Sequence, residues 1–202
     1  MTYKEFIQRL STNSRANLFS ELPRMSELRF KKSNNSTAAT ESDSALTNAQ
    51  LFWSIDGANY TEQHSITLPI RQDGTLQTLR FYFNDLHKFI TDLRFDFADC
   101  EASAELESVV LLDAGGGGRW EWAGELNFFS SSNGVRIFNV ANDSPHKIMI
   151  ATNSDPQFLL NIPREIYPEI TDGWIVQIKL RPQPRIVHAL LVSAFCIKDH
   201  VN

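Results

Sequence analysis

Trp174-Ile175-Val176-Gln177-Ile178-Lys179-Leu180 alternates side chains in a way that only one kind of element uses. Trp174, Val176, Ile178 and Leu180 share one face, while Gln177 and Lys179 take the other. A period of two belongs to a strand with one face buried. The same period runs through Leu79, Phe81 and Phe83, with Arg80 and Tyr82 between them. Further short apolar runs lie N-terminal to this stretch, each closed by turn residues. Leu51–Ile55 stops at Asp56-Gly57, His64–Ile70 at Gln72-Asp73-Gly74, and Leu106–Leu112 at Asp113-Ala114 and four glycines. Glu125–Ser130 and Val135–Val140 flank Ser131-Ser132-Asn133-Gly134, which reads as a hairpin turn. Lys147–Ala151 and Phe158–Ile162 follow. Many short strands without helices between them predict a mainly β chain, an antiparallel and jelly-roll-like β-sandwich over residues 48–182. One helical turn is expected at Asn84–Ile90, with Asn84 or Asp85 as its N-cap.

The flanks have a different texture. Tyr3–Leu10 and Ala16–Phe30 carry helix-spaced apolar residues, Phe6 with Leu10 and Leu18 with Leu22. Pro23 ends or kinks the second piece. Lys31–Thr47 has almost nothing to bury and reads as a flexible linker. Residues 1–47 are thus expected to be a short helical extension and its linker. At the other end, Arg181-Pro182-Gln183-Pro184-Arg185 leads into Ile186–Ile197, an apolar run of 12 residues that includes His188 and Ser193. It fits a buried strand or a short core helix. Residues 183–202 are therefore expected to close this domain with a strand or to open another.

A chain of 202 residues, 42% hydrophobic and 21% charged, can bury a core without staples. Its net charge of −5 comes from the middle, where residues 47–145 hold six Lys/Arg against fourteen Asp/Glu. No basic field points to nucleic acid. No run approaches the ~18 apolar residues of a transmembrane segment. The start, Met1 to Phe6, has no apolar stretch behind it, so a cytoplasmic location with reduced thiols is expected. In that setting the Asn-x-Ser/Thr sequences at Asn34, Asn35, Asn59 and Asn142 are chance. Two cysteines, Cys100 and Cys196, are too few for a disulfide scaffold or an all-cysteine zinc site.

Chemistry-bearing patterns are sparse. Gly115-Gly116-Gly117-Gly118 lacks the Lys-Ser/Thr of a phosphate-binding loop and opens no helix, so it reads as a turn. Asp92, Asp96 and Asp99 form a local acid cluster, and Asp92 and Asp96 would share a strand face. They are the candidate calcium ligands, set against a solvated strand edge. His64, His87, His146, His188 and His200 are scattered, with no metal-ligand spacing. No nucleophile motif is present, and no cofactor is implied. An enzyme would need paired carboxylates across a cleft, such as Asp96 with Glu121 or Asp155, at the roughly 5–9.5 Å that glycosidases use. The aromatic residues say more. Trp120 and Trp122 share a strand face beside Arg119, and Trp53 and Tyr60 flank a turn. Flat rings beside acids, amides and guanidinium groups suit a sugar, whose C–H face stacks while its hydroxyls take polar partners. The candidate glycan contacts are Trp53, Tyr60, Arg119, Trp120 and Trp122; core packing is the competing role for Trp53, Trp120 and Trp122, and core is the expected place of Trp174.

Three segments carry a family resemblance. They are Ala49–Trp53 followed by Tyr60–Ser65, Leu93–Asp96 leading to Leu106–Val109, and Ala151–Leu160. In that order they resemble an accessory β-sandwich domain of bacterial surface-polysaccharide proteins. That domain accompanies glycosyltransferase and methyltransferase modules in O-antigen or capsule synthesis, and it is similar in architecture to carbohydrate-binding modules. The likeness covers roughly residues 48–182, and Phe97 stands where the pattern often has proline. It implies a non-catalytic carbohydrate-binding or substrate-positioning module, cytoplasmic and held at the inner membrane face through partners. Its partner would be a weakly bound glycan or a polysaccharide-synthesis enzyme. The alternative is a structural interaction module without a sugar ligand, docking domains or forming a homo-oligomer through Phe6, Leu10, Leu18 and Leu22.

Overall fold

A computed structural model of the chain describes residues 46–125, 128–140 and 144–196. The helical extension and most of the linker expected before residue 48 lie outside the described residues. The described chain is mainly β. Its strands are β1 (Leu46–Ile55), β2 (Ser65–Arg71), β3 (Gln77–Tyr82), β4 (Ile90–Asp96), β5 (Ser103–Leu112), β6 (Gly118–Glu121), β7 (Phe129–Asn133), β8 (Val135–Asn139), β9 (Lys147–Ala151), β10 (Gln157–Leu160) and β11 (Ile175–Pro182). One α-helix, α1 (Arg185–Cys196), follows, and single 3-10 turns lie at Glu62–His64 and Tyr167–Glu169. The strands form two antiparallel sheets, β2-β1-β4-β10-β7 and β3-β11-β5-β9-β8, with β6 paired to β5.

The Trp174–Leu180 stretch explains the second sheet. Strand β11 lies between β3 and β5, with Val176 opposite Phe81 and Leu111, and Ile178 opposite Leu79 and Val109. All six are buried on the same side. The first sheet answers with Leu51, Trp53, Leu93, Phe95, Phe158 and Leu160. Rings meet across the gap edge to face, Phe81 on Phe95 at 5.9 Å and Trp53 on Phe83 at 5.5 Å. Such pairs add to an apolar burial that stabilises by roughly 25 cal/mol per Å². The result is sandwich-like, two sheets closed on one core.

Two local expectations are corrected and one left open is decided. The segment Asn84–Ile90 is not helical. Asp85 has φ 58°, in the left-handed region, which a right-handed helix does not admit, and the Leu86 N–H is anchored across the chain by Asp172 Oδ1 at 2.6 Å. Ser131–Gly134 does not join a hairpin. Strand β7 pairs with β10 and β8 with β9, so the chain crosses from one sheet to the other at Gly134. Its φ of 64° and a Cβ that would fall 2.1 Å from Asn153 Oδ1 demand glycine. A turn signal gives the bend but not the sheet each strand joins. Finally, of the two readings of the run after Pro184, strand or short core helix, the helix is the one found. Val187, Leu190 and Leu191 are buried at helical spacing, and Ile186 is exposed. Val187 and Leu191 pack on Ile148 and Ile150, the outward side chains of β9. Strand β9 is accordingly buried on both faces.

Candidate functional site

Strand β6 and the residue that follows it place Trp120 and Trp122 on one face, and that face is the inner one. Trp122 is 4% exposed, and its indole N–H donates to the Glu125 carbonyl at 3.0 Å. Both indoles stack on Phe128, at 5.3 Å for Trp120 and 5.5 Å for Trp122. Trp120 is half-buried. Arg119 points away, pairing with Glu169 and lying 5.6 Å from the Trp174 ring. Trp174 is in the core. The glycine loop folds around its own acid: Asp113 Oδ1 accepts the N–H groups of Gly115 and Gly117 at 2.9 and 2.8 Å. Those two donors are therefore not free for a phosphate.

Trp53 and Tyr60 part company at the loop between β1 and β2. This loop turns at Asp56 and Gly57, both with positive φ, and the Gly57 N–H bonds Thr91 Oγ1 at 3.1 Å. It then carries Ala58, Gln63 and His64 into the wall of an open cleft of about 660 Å³. The opposite wall is the non-helical loop Asn84–Lys88, with Tyr82 at the end of β3. Trp53, Ile55 and Ile66 complete the lining from the sheet. Such a volume suits a small ligand.

The chemistry of this cleft is mixed. Tyr82 is exposed, and the rings of Trp53 and His64 lie 6.1 Å apart. His87, Gln63, Asn84 and Ser65 supply polar groups, and Asp85 is the one carboxylate in the lining. Among the described residues Lys88 makes only a loose surface pair, 3.7 Å from Asp56, with both side chains well exposed. Trp53 is 6% exposed, yet its indole N–H has no hydrogen-bond partner among the described residues. An unpaired buried donor is costly, about 1–3 kcal/mol, unless something accepts from it.

Tyr60 turns to the other side, onto the outer face of the five-stranded sheet. There Arg94 lies 4.0 Å from the Phe52 ring and 5.1 Å from the Tyr60 ring. Arg94 also pairs with Asp96 at 2.8 Å. Burial pushes Asp96 up to about 6 in spite of that guanidinium, with the charges of Asp155 and Glu62 adding to the rise. Desolvation outweighs the ion pair because Asp96 is only 7% exposed. Burial, with the Asp92 charge, likewise pushes the Tyr60 hydroxyl up to about 12.

The candidate calcium ligands do not converge. Asp92 and Asp96 share the outer face, as strand alternation requires, but Arg94 lies between them. Asp99 is elsewhere, accepting from Thr47 and from Asn48 at 2.7 Å. Burial alone would raise it, yet these hydrogen bonds hold it below the usual carboxylate range. A different group does gather: Glu105, Glu107 and His146 bring ligand atoms within 4.8 Å of one another. Arg181 already occupies it, 3.6 Å from Glu105 and 2.8 Å from Glu107, so the acids are paired internally. Of the carboxylate pairs considered for hydrolysis, Asp155 is close enough to Asp96 to raise its pKa, but neither lines the cleft. Glu121 lies on the other sheet.

The sequence reading missed His64, Tyr82, His87 and Lys88 as one site, and missed Arg94 between two acids it had singled out. The alternation Asp92, Arg94, Asp96 was available; the convergence of two loops on Trp53 was not. Comparison with protein-family models, curated proteins and solved structures finds no match. No described helix is long and apolar enough to cross a membrane.

Proposed function

We propose that this chain is a non-catalytic glycan-binding module of cytoplasmic surface-polysaccharide synthesis, with a jelly-roll-like sandwich, and that the sugar sits in the Trp53 cleft. The observation that carries this is the pairing of an open cleft of about 660 Å³ with aromatic side chains and a buried indole N–H that has no acceptor among the described residues. A sugar ring offers C–H groups to Tyr82 and hydroxyl oxygens to the Trp53 N–H, the imidazoles and the amides. A single carboxylate in the lining favours holding a glycan over hydrolysing it, since hydrolysis uses two. The resemblance of residues 48–182 to an accessory domain of such systems points the same way. Affinity should be weak, on the order of mM to μM, because a shallow polar site gains little beyond its ordering costs.

The test is an NMR titration of the full chain with O-antigen and capsule fragments. Shifts confined to Trp53, His64, Tyr82 and His87 are expected. No shift with any fragment would overturn the reading. One observation favours the interaction-module alternative: Trp122 is buried and Trp120 half-buried, so that edge presents no aromatic platform. That alternative requires the oligomeric state to change when residues 1–45 are removed.

A further inference from the structure

We propose that the cleft is selective for an acetamido sugar, one whose ring carries an N-acetyl group, and that this group lies against Trp53. The inference rests on the cleft reading above and names the substituent that the cleft floor takes. Strand register builds that floor. Ile66 lies opposite Leu51, a core residue, so it points inward from β2, the edge strand of its sheet. Trp53 and Ile55 pack on the core from β1, and Leu86 comes from the facing loop. Ala58 adds a methyl group from the loop between β1 and β2. Its backbone is engaged: the N–H donates to the Ile55 carbonyl at 2.9 Å, and the carbonyl accepts from Ser54 Oγ at 2.7 Å. Ser65 Oγ is engaged too, donating to the Glu62 carbonyl and accepting from Gln50, both at 2.9 Å. Around Trp53 this leaves apolar side chains and an indole N–H that is 94% buried with its residue, lines the cleft and has no partner among the described residues.

That combination selects among the groups a sugar carries. An indole N–H is a donor only. A hydroxyl could accept from it, but would bring a proton of its own into apolar surroundings, where an unpaired donor is costly. A carboxylate would accept without a proton, but its charge would lie against Ile55, Ile66 and Ala58, while Lys88 is on the exposed rim. An amide carbonyl accepts strongly and carries no charge. Its methyl group suits the same three side chains, and burying it is favourable. The amide N–H then turns to the rim, where Asp85 and Gln63 supply acceptors.

Access to the indole runs past His64. Its ring lies 6.1 Å from that of Trp53, and among the described residues its side chain meets a hydrogen-bonding partner only at Thr61 Oγ1, 3.5 Å away. So long a contact is weak, and the imidazole is the group that turns aside. Tyr82, exposed at the end of β3, takes the C–H face of the sugar.

The test is an NMR titration of the full chain with four probes: N-acetylglucosamine, glucosamine, glucose and glucuronic acid. The Trp53 indole N–H signal reports the proposed hydrogen bond, and His64 and His87 report occupation of the cleft. N-acetylglucosamine should bind several-fold tighter than the other three and move the indole signal downfield. Trp53→Phe keeps a ring but removes the donor, so it should bring N-acetylglucosamine down to the affinity of glucose. Should that variant fold poorly, Ala58→Leu fills the place of the methyl group from an exposed loop position. It should weaken N-acetylglucosamine several-fold more than glucose. Equal affinity for N-acetylglucosamine and glucose, with shifts at His64 and His87, would overturn the acetamido proposal and leave the cleft reading standing. A preference that survives both substitutions, or tighter binding of glucuronic acid, would do the same. Silence with all four probes overturns the proposal too, whereas the cleft reading falls only if the O-antigen and capsule fragments are silent as well.

Discussion

Trp53 and Trp122 are both indoles, both almost fully buried, and both members of one core cluster. They differ in a single atom's fate. The Trp122 N–H reaches the Glu125 carbonyl and its ring is stacked on Phe128; the Trp53 N–H reaches nothing among the described residues and its ring edges a cleft. Burial therefore does not tell the two apart, whereas the state of the indole donor does, and under the proposed function that difference is what leaves Trp53 available to a ligand. The edge with the richest aromatic sequence is the one that packing has consumed.

The largest effect should come from removing the structural ring. Trp122→Ala empties the space beside Phe128 and Phe129 and should cost about 3–5 kcal/mol. For a chain of this size that lowers Tm by roughly 10 °C or more, read by thermal denaturation. A loss below about 1 kcal/mol would mean that the β6 edge is not part of the core.

The next effect is electrostatic. Asp96 has a folded pKa of about 6 against an ordinary 3.8. Folding therefore favours its protonated form, so its contribution is fully present below pH 3.8 and is lost as pH rises through about 6. Two pKa units correspond to about 3 kcal/mol as an upper bound. His188 acts with the opposite sign. Burial lowers its pKa against the pull of Glu101, so its contribution holds above the ordinary histidine range of about 6.5 and fades as pH falls. Denaturation of the wild type and of Asp96→Asn from pH 4 to 7 isolates the first term. The difference in stability between them should change steadily in favour of Asp96→Asn as pH rises. A constant difference would show that Asp96 titrates normally.

These contrasts show which parts of the molecule were legible. Alternation in Leu79–Phe83 and Trp174–Leu180 announced the strands because a half-buried sheet imposes period two on its own residues. The sheet each strand joins was hidden, as at Gly134, because that depends on Asn153, far along the chain. The helix α1 was ambiguous because an apolar run serves a two-sided strand and a core helix alike, and only Ile148 and Ile150 beneath it decide. Trp120 and Trp122 were correctly placed together but not given a direction, since alternation names a face without saying which way it points. The cleft was least legible, because two loops distant in sequence supply opposite walls.

Replacing each indole by phenylalanine sharpens the comparison at smaller cost. Trp122→Phe loses ring volume and the hydrogen bond to the Glu125 carbonyl, which keeps the Phe128 N–H at 3.4 Å, so about 1–2 kcal/mol should go. Trp53→Phe loses ring volume but also removes a buried donor with no partner, and the two terms oppose. Its stability should stay within about 1 kcal/mol of wild type while glycan affinity falls several-fold. Equal losses in the two variants would end the distinction drawn from the N–H.

The smallest stability effect belongs to the cleft's own rim. Lys88 is exposed, and its pair with Asp56 at 3.7 Å is of the kind that contributes little. Lys88→Met keeps the length and apolar stem of the side chain and removes only the ammonium group. Stability should stay within about 0.5 kcal/mol, because nothing buried depends on that charge. Binding is a different matter. Lys88 lines the cleft with one loose partner, so its three donors can leave Asp56 for a sugar hydroxyl without abandoning a strong contact. Titration should therefore show a few-fold weaker glycan binding from a variant that melts like the wild type. If affinity is unchanged too, Lys88 belongs with Arg119 among surface pairs, and the ligand must lie deeper, against Trp53 and Ile66.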